Sequence, residues 1–210
     1  MPFSINEFVR RRPYLYHLTD QRNVARIRAT GRLESAERLF HQAGLSSANR
    51  NHRKQSQIIS IGDASIHVRD QAPLHRGNME LEPGWDFEDF VAHLNARIFF
   101  WPGRAEGPIS YGVRHYERYA SDQPVILRAP SLELIDSNPN RAPLFCRYNS
   151  GSPRCSYGRK SPRKANTFAS AEAAAFRGAE VVEVTFEGSV DLPRSTQRAL
   201  SPHGPWTPFF

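Results

Sequence analysis

Cysteine is scarce in this chain. Only Cys146 and Cys155 occur in 210 residues, with no second pair, so neither a disulfide-rich scaffold nor a structural zinc site is expected. No window is apolar for long enough to span a membrane. Met1 to Arg12 holds Phe3, Ile5, Phe8 and Val9 but lacks the apolar core and small-residue cleavage site of a signal peptide, so a cytoplasmic protein with no membrane contact is expected. None of the eight histidines falls in a His-Glu-x-x-His or comparable spacing, and no metal is expected. There is no internal repeat. The length suits one well-packed domain over 1–210 and is too short for two ordinary ones.

The last absence is local. No acidic residue lies between Asp136 and Glu172, whereas Arg141, Arg147, Arg154, Arg159, Lys160, Arg163 and Lys164 do, interleaved with Tyr148 and Tyr157. The composition of 137–171 reads as a mobile basic loop. Arginine and lysine contact phosphate and tyrosine stacks on a base, so Arg154, Tyr157, Arg159, Lys160, Arg163 and Lys164 are candidates for holding a nucleic acid. A solvated surface loop in a basic protein fits the same composition. The whole chain carries 28 Lys and Arg against 21 Asp and Glu, a net charge of +7, which favours polyanionic partners. Sixteen prolines point to many short elements joined by ordered turns.

Taken in order, 1–13 reads as a short leading helix stopped by Pro13. Tyr14 to His17 is β-prone, Thr19 or Asp20 can cap a helix with Val24 and Ile27 on its apolar side, and Gly31 ends it. This strand–turn–helix stretch, Tyr14 to Leu33, puts His17 and Thr19 at a corner rich in backbone N–H groups, where a phosphorylated or carboxamide ligand can be held. His17 can equally be a packing residue and Thr19 only a cap. Ser35 to Ala43 reads as a helix and Ser46 to Gln55 as an exposed polar loop. Ile58–Ile61 and Ile66–Val68 bracket Gly62-Asp63 as two strands, with Arg69 free to reach a ligand just beyond. Trp85 to Leu94 and Ile109 to Ala120 have helical spacing, Ile98 to Trp101 is a dense apolar run fit for a central strand, and Val125 to Leu127 reads as another. Val181 to Phe186 alternates as a strand, with Val182, Val184 and Phe186 toward the core and Glu183 on the other side, able to enter a cleft. Glu180 is the competing carboxylate. The segment 192–210 reads as an irregular tail without periodicity, whose aromatic end either docks on the body or stays loose.

Tyr16-His17-Leu18-Thr19 followed by Asn23 to Ile27, then Arg69, the aromatic run Ile98 to Trp101, and Glu183 before Ser189-Val190 together resemble the ADP-ribosyltransferases. The closest likeness is to the DarT-type toxins that modify nucleic-acid bases. The likeness covers most of the chain in order and is specific at its two ends. It departs from the family's pattern at Phe100, where the family has a tyrosine, at Val184, where it has an aromatic residue, and in the longer and more basic 137–171 loop.

The resemblance implies an α+β fold with a split, mostly antiparallel β-sheet core, flanking helices and an NAD cleft between the half-sheets. It implies that NAD is consumed as a substrate without a metal, with transfer of ADP-ribose to a nucleic-acid base. Glu183 and Arg69 would be catalytic; His17, Thr19, Asn23 and Phe100 would bind NAD; and the basic loop would present single-stranded DNA or RNA, since a base inside a duplex cannot reach such a cleft. An antitoxin or an ADP-ribosyl glycohydrolase is the partner that the family suggests. Two other expectations stand beside this one: the same transferase acting on a protein side chain, and a nucleic-acid-binding module without catalysis. An NAD-using enzyme that removes an RNA 2′-phosphate ranks below these.

Overall fold

Tyr14–Thr19 is one of two strands that hold the protein together, and the other is Arg97–Arg104. In the computed structural model, which describes residues 3–151 and 162–210, they lie side by side in the main sheet. Its order is Thr207–Pro208, Gln197–Ala199, Val125–Pro130, Tyr14–Thr19, Arg97–Arg104, Glu183–Glu187 and Leu144–Cys146, every pair antiparallel, with Gly107–Pro108 folded back on Arg97–Arg104. One parallel pair, Pro162–Arg163 beside Glu80–Leu81, lies outside this sheet. Helices flank the sheet, so the fold is α+β with a mostly antiparallel core.

The central pairing is incomplete, and that positions the site. Tyr14, Leu15 and Tyr16 pair with Gly103, Pro102 and Trp101, and there the ladder stops. Beyond that point His17, Leu18 and Thr19 pair only with Val125–Pro130, while Arg97 to Phe100 pair with Glu183–Glu187. Arg97–Arg104 therefore serves one half of the sheet with each of its ends, and the sheet opens between His17 and Phe99.

Local chemistry explains most of the elements. The Asp20 carboxylate accepts from the Arg22 N–H and starts a short 3-10 turn that runs into the helix Val24–Thr30. Gly31 ends that helix with φ +66°, a conformation that costs glycine little. Asp86 and Asp89 form a reciprocal cap at the start of the helix Phe87–Asn95. One face of the sheet is sealed by Leu15, Phe100, Leu127, Val184 and Phe186 against Phe8, Val24, Ile27 and Leu134 of three helices. The other face carries two separate clusters. Phe87, Phe90 and Val91 pack with Cys146 and Phe168 over one half-sheet, and Trp101, Tyr16 and Tyr119 pack over the other.

Three expectations are corrected. The 137–171 stretch is not all loop: Leu144–Cys146 is a strand because it completes the pairing of Glu183–Glu187, with Cys146 opposite Glu183. The 192–210 segment docks, adding Gln197–Ala199 and Thr207–Pro208 to the sheet edge and burying Phe209, whose carbonyl accepts from Arg28 Nε at 2.7 Å. Arg53, expected in an exposed loop, is buried because the Asn95 side chain and the Arg69 carbonyl accept from its guanidinium. Among the described residues no helix is long and apolar enough to cross a membrane.

Candidate active-site cleft

A cavity of about 640 Å³ lies where the sheet opens, within the range of small-molecule sites. Arg97, Phe99 and Trp101, alternate residues of one strand, contribute to its floor, and Glu183 lies on the same face because Thr185 pairs with Phe99. The cavity draws its walls from both clusters on that face, and His67 and Arg69 enter from the hairpin Gln57–Ile61 and Ala64–Val68. Nine arginines and four carboxylates are among the described residues that line it. Two of the four carboxylates are already neutralised by arginines, Asp20 by Arg22 and Glu34 by Arg26. Arg26, Arg32 and Arg97 are likewise paired with acids, which still leaves the lining with an excess of positive charge.

Glu183 is the exception within that positive surface. Its carboxyl is buried; the Ser150 hydroxyl donates to Oε2 at 2.6 Å, and the Ser150 N–H reaches both oxygens at 3.1 and 3.2 Å. Burial pushes its pKa up to about 7 against the lowering effects of Ser150 and Arg163. A carboxyl poised near neutrality can hold or give up a proton at working pH. Glu180, the competing carboxylate, is not among the lining residues and instead accepts from the Arg177 N–H and guanidinium.

His17 bridges the gap in the sheet. Its Nδ1 lies 2.9 Å from the Phe99 carbonyl, which can only accept, so Nδ1 carries the hydrogen and Nε2 is left as an acceptor. Burial holds the ring neutral, with its pKa lowered to about 4, and nearby Arg69 acts in the same direction. Arg69 lies with its guanidinium 4.3 Å from the centre of the Tyr119 ring, and its Nη1 is buried with no hydrogen-bond partner. Trp101 Nε1, also in the cavity wall, is a second buried donor without one. Each such donor is costly to leave unmade, and a ligand carrying acceptor oxygens would satisfy both.

Of the other residues singled out from sequence, Thr19 lines the cavity and is buried. Asn23 is also a lining residue, and its amide is engaged with the hairpin: Nδ2 donates to the His67 carbonyl and Oδ1 accepts from the His67 N–H, each at 2.9 Å. It is a clamp between the helix start and the hairpin. Asn23→Ala should cost about 2–3 kcal/mol by stranding both backbone groups, and an unchanged urea midpoint would show that the clamp is idle. Phe100 is a correction, since it is absent from the lining; it points into the opposite core and packs on Phe186, and Phe99 takes the place by the cavity.

Of the basic stretch, Arg163 lines the cavity with its guanidinium 4.2 Å from the Tyr148 ring centre. Lys164 does not line it and pairs with Glu82 at 3.1 Å. Arg154, Tyr157, Arg159 and Lys160 lie outside the described residues. Sequence reasoning missed Ser150, Arg53, Trp101 and the helix face bearing Tyr111, Arg114, His115 and Arg118, all of which but Ser150 line the cavity. The helix face was detectable from its spacing of three and four. Among the described residues no group of three or more His, Cys, Asp or Glu could hold a metal ion.

No curated protein and no solved structure matches this chain. A family model does match, over residues 13–196, and its description is a family of unknown function, DUF7002. The match takes in both strands at the opening, the hairpin with Arg69 and the Glu183 strand. The chain belongs to the DUF7002 family.

Proposed function

We propose that this protein is an NAD-consuming mono-ADP-ribosyltransferase that joins ADP-ribose to a base of single-stranded nucleic acid and releases nicotinamide. The observation that carries the reading is convergence. His17 and Thr19 come from one strand, Arg69 from the end of the hairpin and Glu183 from a strand of the other half-sheet, yet all four line the cavity that opens where the sheet divides. The unpartnered donors on Arg69 and Trp101 fit a ligand with a pyrophosphate and several acceptor oxygens.

NAD supplies an activated glycosidic bond, which breaks with its electron pair leaving on nicotinamide. Glu183 stabilises the positive charge that develops on the ribose carbon, and in a buried site this attraction is far stronger than in water. Its carboxylate also takes the proton that the attacking base nitrogen loses. The neutral His17 offers Nε2 as an acceptor to a ribose hydroxyl or the carboxamide N–H. Arg69 balances phosphate charge. Phe99 offers a ring edge to the bound ligand. The reaction needs the NAD of the cytoplasm.

Calorimetric titration with NAD tests the binding half of this reading. Arg69→Ala removes a charge-assisted contact and should weaken NAD about 10-fold or more. Absence of binding by the parent protein would overturn the reading.

A further inference from the structure

The helix Ser110–Arg118 turns a partly exposed face toward the cavity, with Tyr111, Arg114 and Arg118 open to solvent and His115 packed inward. Tyr111, Arg114, His115 and Arg118 fall three and four residues apart, which places them on one side of the helix. That side lines the mouth of the cavity. The helix can lie close because Gly112 has no side chain; a Cβ there would stand 2.8 Å from Pro108 Cβ and 3.1 Å from Trp101. Tyr111 is 39% exposed, a high value for an aromatic ring, and the Arg114 guanidinium stands 5.9 Å from its centre.

The two arginines of this face are unpaired among the described residues, unlike several others in the protein. Arg22, Arg26, Arg32 and Arg50 each have an acidic partner within 3.0 Å. Among the described residues Arg114 and Arg118 have no acidic partner within ion-pair distance, and the helix's own acid, Glu117, is not among the cavity's lining residues. Inward from the exposed ring the face continues as His115, 4.6 Å from the Trp101 ring centre, and Trp101 presents its unpartnered buried Nε1. Aromatic rings alternating with free cations thus run from solvent into the cavity.

We propose that this face binds the acceptor: a single-stranded nucleic acid whose phosphates meet Arg114 and Arg118 and whose base stacks on Tyr111 before the neighbouring base enters the cavity. The assignment deepens the transferase reading and rests on it for the chemistry that follows binding. Chemistry favours a nucleic acid over an acidic peptide, because an exposed ring beside one guanidinium, with a second further along the helix, matches a base followed by its phosphates and gives a carboxylate chain nothing for the ring. It favours a single strand because the cavity behind the face admits a base only when it is unpaired.

The test is fluorescence anisotropy with labelled 12-nucleotide single-stranded DNA and RNA, without NAD, on the parent, the triple variant Tyr111→Ala/Arg114→Ser/Arg118→Ser and the control Arg10→Ser/Lys54→Ser. Both variants lose two charges, and circular dichroism checks that each is folded. The triple variant should bind about tenfold or more weakly, with the slope of log affinity against log salt reduced by about 1.4 for two lost phosphate contacts. The control should bind like the parent. A folded triple variant that binds as tightly as the parent, or a control that loses as much, overturns the assignment; so does displacement by poly-glutamate as effective as by the oligonucleotide. Because NAD is absent, the two ideas fail separately. Loss of NAD consumption leaves this surface standing, and transfer by a triple variant with undiminished binding removes the surface but leaves the reaction.

Discussion

Glu183→Gln should lower ADP-ribose transfer about 1,000-fold while making the folded protein more stable at pH 8. The loss follows from charge: an amide of the same shape cannot balance a positive ribose carbon or accept its attacker's proton. The gain follows from burial. In the unfolded chain this carboxyl titrates near 4.5, whereas in the fold its pKa is about 7, so the native state holds a proton that the unfolded state has given up. Stability on this account is highest below about pH 4.5 and falls as the pH rises through 7, by up to about 3 kcal/mol, and glutamine removes that dependence. Thermal unfolding of both proteins at pH 5 and pH 8 reads it. Equal shifts at the two pH values would mean that the carboxyl ionises as in water. The parent's transfer rate should in turn rise with pH through about 7, as the carboxylate forms.

Phe100→Ala should be the most damaging single truncation near the opening, costing about 3–5 kcal/mol. Phe100 is 1% exposed, sits edge-on to Phe186 at 5.8 Å and backs the His17 ring at 5.5 Å, so its loss leaves a cavity beneath the residue that bridges the two half-sheets. Phe99→Ala makes the contrast. That ring is half-buried beside Phe168, so its truncation costs less stability and is felt in NAD affinity. Urea midpoints with calorimetry separate the two, and a Phe100→Ala protein as stable as the parent would contradict the assignment of that ring to the core.

The same two rings show where sequence reasoning stops. Ile98 to Trp101 is apolar throughout, so the central strand is evident, but without alternation nothing says which side chains face which way. The face is decided by the pairing of Val184 with Phe100 and Thr185 with Phe99, a contact between segments some 85 residues apart. The stretch from Tyr14 to Gly31 was legible because its signals are local: β-prone residues, an Asp cap and a glycine at positive φ. The hairpin around Gly62-Asp63 and the helix Phe87–Asn95 were legible for the same reason. Leu144–Cys146 was not, since three residues in a basic, proline-containing stretch show no period and become a strand only beside Glu183–Glu187. Ser150 had no signal at all. A loop serine acquires meaning only when the fold brings it 2.6 Å from a carboxylate. Arg53 is similar, because its burial depends on the side chain of Asn95.

The most direct measurement incubates the purified protein with NAD labelled in the adenosine half, alone and with single-stranded DNA, single-stranded RNA or a protein extract, beside Glu183→Gln. The account predicts that label passes to a single-stranded nucleic acid only with the parent protein, with free nicotinamide released in equal amount. Label on protein alone would contradict the acceptor. NAD left intact with every acceptor would contradict the transferase itself.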